Sequence, residues 1–204
     1  MSVTSVVAGV DGIPRCAWGA STPDYVAYHD QEWGVPLHGE RELFERLTLE
    51  AFQSGLSWLT ILRKREGFRA AFAGFHPEVV ATFGAADRAR LLADTGIVRN
   101  RRKVDAAIHN ARAVLDLRND GGLDALVWAH APAHHDRPQS LGDLRATSPE
   151  SVALTKALKA RGFVFLGPTT VYAAMQACGL VDDHVAGCHR AGTATSHRAS
   201  ARPR

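Results

Sequence analysis

Three cysteines in 204 residues are too few, and odd in number, for a disulfide framework, so the chain is expected to work in a reducing compartment. No apolar run reaches the roughly 18 residues that span a bilayer. The start, "MSVTSVVAGVDGIPR", lacks the basic flank and long apolar centre of a signal peptide. Alternating β patterns are scarce, and no internal repeat is found. These absences exclude a disulfide scaffold, a membrane protein with spanning helices and a repeat solenoid. They predict a cytoplasmic protein.

What remains is ordinary globular composition, 46% hydrophobic and 22% charged, with a net charge of +3. That balance permits a polyanionic partner without requiring one. Residues 1–14 read as a flexible N-terminal extension and 15–189 as one helical domain, in one piece or two interleaved lobes. Residues 190–204 carry four arginines and no acid, and read as a disordered basic tail.

Helical periodicity dominates. "ERELFERLTLEAFQSG" sets Leu43, Phe44 and Leu47 on one stripe, and "SWLTILRKREGFRAAF" follows after Gly55. "HPEVVATF" starts a short helix with Pro77 in its first turn. "NRRKVDAAIHNARAVLDLRNDGG" repeats Val104, Ile108, Ala111 and Leu115 at helical spacing. Ser148 and Pro149 open another helix that closes at Gly162, and "GPTTVYAAMQACG" ends at Gly179. "AHAPAHHDRPQS" reads as the connection between two helical parts. The predicted fold class is all-α.

Three clusters carry chemistry. His184 and Cys188 in "DHVAGCHR" lie four apart, on one face if helical. Cys16 and His29 could complete a Cys2His2 set. Cys178 falls on a core stripe with Val171 and Met175 and is left out. Spacing alone favours a helix-capping histidine and a buried thiol, because no Cys-x2-Cys signature is present. The His-x-Glu and Pro-Cys-x-x-Cys pattern of a zinc deaminase is absent.

The second cluster, "CAWGASTPDYVAYHDQEWGVP", gathers Trp18, Tyr25, Tyr28 and Trp33 around His29: a core with polar edges, or a pocket of flat faces suited to a nucleobase. Glu50, in the apolar "TLEAFQSGLSW", is either an exposed helix-end charge or a buried carboxylate with a purpose. The third cluster is the glycine-bounded turn in "KARGFVFLGPTT". Its backbone N–H groups would suit a DNA phosphate, or it is a plain αα-hairpin.

The blocks "RCAWG", "YVAYHDQEWGVP", "LFERLTLEAFQSGLSWLTILRKRE", "GIVRNRRKVDAAIHNARA", "LKARGFVFLG" and "MQACGLVDDHVAGC" resemble the 3-methyladenine DNA glycosylase I family of the helix-hairpin-helix glycosylase superfamily. The likeness runs from about Arg15 to Cys188. It implies a helix-hairpin-helix glycosylase-like helical fold, with a structural zinc ion held by Cys16, His29, His184 and Cys188 joining the N- and C-terminal regions. Four protein ligands leave no open position for water. It implies that Glu50 and Tyr28 contact the damaged base and that Trp58 stacks on it, with Trp18, Tyr25 and Trp33 as further walls. Gly55 and Leu56 would lie at the lesion. The hairpin, with Gly162, Gly167, Thr169 and Thr170, would meet the backbone of double-stranded alkylated DNA. Basic Lys159, Arg161, Arg99, Arg101 and Arg102 are further candidates there.

The implied reaction is hydrolysis of the N-glycosidic bond of a flipped 3-methyladenine by a monomeric enzyme, leaving an abasic site. No lysine sits in "FVFLG", so no lyase step is expected. Asp182, two positions before His184, is in the register of the catalytic aspartate of other superfamily members, where this family is described as lacking it. It could serve catalysis, cap a helix, or be a solvated acid. The rivals are a zinc-stapled binder of damaged DNA that does not cut, a catalytic-zinc hydrolase, and a repair enzyme of wider base scope.

Overall fold

The computed structural model describes residues 4–193. The outer parts of the expected extension and tail, 1–3 and 194–204, lie outside the described residues. In chain order come strands β1 (Val6–Ala8) and β2 (Pro14–Cys16), then helices α1 (Pro23–Gln31), α2 (Glu40–Gln53) and α3 (Trp58–Ala71). There follow α4 (Pro77–Val80), α5 (Ala85–Ala93), α6 (Arg101–Leu117), α7 (Gly122–Trp128), α8 (Pro149–Ala160) and α9 (Pro168–Ala177). Among the described residues, no helix is long and apolar enough to cross a membrane.

The helices begin where their caps dictate. The Thr22, Ser57, Asn100 and Ser148 side chains each accept a first-turn amide, of Tyr25, Thr60, Lys103 and Ser151. Pro23, Pro77 and Pro149 sit in first turns, where the missing N–H costs nothing. Gly162, with φ +87, ends the run of α8 as its sequence predicts.

The chain divides into two units. One takes residues 38–130 and 147–174. Its centre is α2, in which Leu43, Phe44, Leu47, Leu49, Ala51 and Phe52 are all buried, and α6, which packs against α2, α4, α5 and α7. On α6 the buried stripe is Val104, Ile108, Ala111, Val114 and Leu117. Leu115, expected in it, is only half-buried.

The other unit comprises the described parts of residues 1–37, 131–146 and 175–204. It departs from expectation in two places. Residues 6–8, expected in a loose extension, pair antiparallel with 14–16 in the register Val6↔Cys16. Val6 packs on a small core of Cys16, Val185 and Cys188, and three residues are too few to print an alternation. His184 and Cys188 do not share a helix face: their segment after α9 is irregular, with a turn at 186–187 between them. The connection at 131–146 also belongs to this unit, where His135 Nε2 meets Asp183 at 2.7 Å.

Candidate active site and metal-ligand cluster

In the unit built on α2 and α6, a cavity of about 220 Å³ opens between the end of α2, the turn after it and the start of α9. Its lining includes Glu50, Gly55, Leu56, Thr169 and Thr170, so five residues singled out in the sequence meet at one place. Glu50 is 5% exposed, and burial pushes its carboxyl up to about 7, against the opposing pull of the Arg46 guanidinium. It is therefore not the exposed helix-end charge. Gly55 holds φ +80, a conformation glycine adopts without strain, and Leu56 beside it is 41% exposed. Trp58 opens α3, and the Arg46 guanidinium lies over its ring, 5.4 Å from the centroid. Arg46 was not singled out by the sequence, where it is one charge among several in "ERELFERL".

The turn between α8 and α9 is held from α6. The Asn110 carboxamide donates to the Val164 carbonyl at 3.1 Å and accepts from the Val164 amide at 2.8 Å. His109 Nε2 meets the Gly162 carbonyl at 2.8 Å. Phe163 and Leu166 are buried beneath the turn, and Phe165 has φ +60 with Arg102 over its ring. Gly167 is half-buried and Thr169 exposed.

The other unit gathers the metal-ligand candidates. Ligand atoms of Cys16, His29 and Cys188 lie within 4.8 Å of one another, all buried. The Cys16 thiol donating to Cys188 holds the latter well below the usual thiol range, with His29 and the Arg190 amide assisting, while Cys16 itself is pushed up. His184 is outside that tight group, yet its ring centre is 5.1 Å from that of His29, edge-on. His184 Nε2 is buried, with no hydrogen-bond partner among the described residues.

A carboxylate sits behind each histidine. His29 Nδ1 meets Asp30 at 2.8 Å, and His184 Nδ1 meets Asp182 at 3.0 Å. Burial works against the ionised form of both acids. It is outweighed for Asp30 by Arg15 and His29, and for Asp182 by His184, the Gly192 amide and Arg137. An ionised carboxylate only accepts, so each Nδ1 donates to its acid, and His29 Nε2 lies 3.4 Å from Cys188 Sγ. Asp182 is thus buried and off any helix, which removes both the helix-cap and the solvated-acid reading. Gly19 and Gly34 make room for the rings: a Cβ at either would come within 2.6 Å of His29 or His184.

Trp18 and Trp33 lie edge-on against this cluster, Trp18 at 5.3 Å from His29 and Trp33 at 4.6 Å from His184. Tyr25 packs on Trp18 at 5.6 Å, and Tyr28 is buried beside it. Arg15, Asp30 and Arg137 escaped the sequence reading, since a charge that orients a neighbour has no local pattern.

Known proteins place this geometry. The profile of the methyladenine glycosylase family matches residues 18–191. DNA-3-methyladenine glycosylase 1 of Escherichia coli (strain K12) is 47% identical over 178 residues, covering 85% of this chain and 95% of its own length. The Haemophilus influenzae DNA-3-methyladenine glycosylase is 43% identical over 181 residues, covering 85% and 96%. The solved structure of 3-methyladenine DNA glycosylase I from Staphylococcus aureus, described as the basis of 3-methyladenine recognition, superposes with a TM-score of 0.81 at 37% identity, covering 86% and 95%. With residues 18–191 matched by the family and 85% of the chain aligned at 47% identity, the chain belongs to the methyladenine glycosylase family.

Proposed function

We propose that this protein is a DNA-3-methyladenine glycosylase that excises the base from alkylated duplex DNA. The observation that carries the reading is a buried carboxylate, Glu50, at a small cavity, in a chain 47% identical to an enzyme of that name. Methylation at N3 makes the purine cationic and its glycosidic bond weak. Selection then matters more than acid catalysis. The Glu50 carboxylate attracts a cation, and the Trp58 face adds roughly 1–2 kcal/mol when desolvated. Neutral adenine gains little from either.

The nucleotide leaves the stack at a cost of a few kcal/mol. Water attacks C1′, the C1′–N9 bond breaks, and its electron pair returns to the purine, which departs as neutral 3-methyladenine. The water gives up a proton and an abasic site remains. The turn between α8 and α9 holds no lysine, which fits hydrolysis without a lyase step. That turn, as a helix-hairpin-helix element with the α9 start at Gly167, Thr169 and Thr170, is assigned to the DNA backbone.

We further assign a structural zinc ion to Cys16, His29, His184 and Cys188. Two thiols, one already acidified, and two imidazoles each oriented through Nδ1 make a donor set suited to zinc, and a bound ion would give the buried His184 Nε2 a partner. When bound, the ion supplies cross-linking of the chain. Asp182 orients His184 and takes no part in bond breaking.

The test is base release from methylated duplex by the wild type and Glu50→Gln, with products separated by chromatography. Free 3-methyladenine without 7-methylguanine, and an impaired variant, are expected. No release by well-folded wild type would instead identify a damage-binding module.

A further inference from the structure

Helix α6 carries a lysine where a helix start disfavours one. Lys103 stands in its first turn, with its amide donating to the Asn100 cap. A cation there opposes the partial positive charge of the helix N-terminus. The side chain is also only 7% exposed, and burial pushes its ammonium below the ordinary lysine range. Two local preferences are broken at one position, and such breaks concentrate at functional sites. What offsets them comes from 49 and 51 residues away. Lys103 Nζ donates to the carbonyls of Ser54 at 2.6 Å and Phe52 at 2.8 Å. Both belong to the end of α2, where the dipole is negative and the last carbonyls lack helical partners.

These carbonyls flank the turn that edges the cavity. A Cβ placed on Gly55 would meet nothing within 4 Å among the described residues, so no side chain packs on that face of the turn. Hydrogen bonds tie its ends: the Leu56 amide donates to the Gln53 carbonyl at 2.7 Å, and Lys103 grips the two carbonyls around it. Leu56, an exposed apolar side chain beside a cavity with a buried carboxylate, has the chemistry of a wedge between base steps.

We propose that Lys103 is a positioning residue for base extrusion, tying the end of α2 to α6 so that Leu56 is presented rigid when the target nucleotide leaves the stack. A turn already ordered loses no further conformational entropy on insertion, whereas a loose one must be ordered at that step. Losing the clamp therefore slows extrusion while leaving the cavity able to hold a free base. This rests on the glycosylase reading above, which is settled beforehand on the wild type by whether it releases base at all.

The experiment compares wild type, Lys103→Met and Lys103→Arg in single-turnover base release from a duplex containing 3-methyladenine, alongside binding of free 3-methyladenine followed by tryptophan fluorescence. Lys103→Met is expected to lose about tenfold or more of its rate at saturating DNA, with KM for DNA and Kd for the free base each within about threefold of wild type. Lys103→Arg, which keeps the cation and two donors, is expected to recover most of the rate. A wild-type rate in Lys103→Met overturns the proposal. So does an equal loss of free-base affinity, which would mean that the cavity itself has collapsed. Should Lys103→Met fail to fold, Lys103→Gln, with a single neutral donor group, is judged by the same two readouts.

Discussion

Glu50 ties activity and stability to pH in opposite directions. Its carboxyl is raised to about 7 by burial, so the folded chain holds a proton that an unfolded glutamic acid, near 4.5, releases. The associated stability is fully present below the unfolded value and is lost as pH rises through about 7. Relative to Glu50→Gln, the wild type is expected to lose on the order of 3 kcal/mol of unfolding free energy over that window, measurable by urea titration. A flat difference would mean that Glu50 is not buried in solution. Activity runs the other way. The ionised form is the one that attracts a cationic base, so kcat/KM should climb with pH to a plateau above about 7, and Glu50→Gln should flatten the climb. Arg46, over the Trp58 ring and holding Glu50 down, moderates both effects.

The turn between α8 and α9 shows how one helix can shape another element's loop. Gly162 supplies the positive φ, but the carboxamide of Asn110 on α6 sets where the Val164 backbone points. Asn110→Ala removes the partner of both the Val164 amide and its carbonyl. The expected cost to stability is about 1 kcal/mol. Affinity for duplex DNA should fall by a similar factor for damaged and undamaged sequences, since phosphate contacts position without specifying. Fluorescence anisotropy with both duplexes checks this. A loss confined to the damaged duplex would place the turn at the base instead.

For the molecule as a whole, one unit is assembled from three separated stretches of chain, and its buried Cys and His side chains come from the first and the last of them. A zinc ion there would close a long loop, which removes most entropy from the unfolded chain. The protein as purified is expected to carry about one equivalent of zinc by elemental analysis. Chelation or Cys188→Ser should lower Tm by about 10 °C or more. Asp182→Asn separates orientation from catalysis: zinc affinity should fall about tenfold or more. Base release by the loaded variant should stay within about tenfold of wild type, or 1.4 kcal/mol of barrier. A larger drop at full zinc occupancy would return Asp182 to the reaction.

Residue order by itself determined the helices with strong punctuation: Ser148 and Pro149 opening α8, Gly162 stopping it, Pro77 starting α4. Caps and periodicity act within about four residues, so they survive in a linear reading. Long blocks such as "MQACGLVDDHVAGC" carried the family as well, and with it residues as far apart as Cys16 and Cys188. The short strand at 6–8 and the irregular segment at 184–188 escaped, because three residues carry no period and a four-residue spacing suits more than a helix. Tertiary structure alone decided that Glu50 is buried rather than exposed and that Asp182 faces His184. It also decided that Arg46 covers Trp58, that Asn110 clamps the turn at Val164, and that Lys103 grips the end of α2. Each of these is a polar side chain whose partner is chosen by packing. Its free energy depends on desolvation and on donors brought together from distant parts of the chain, quantities that exist only once the fold has formed.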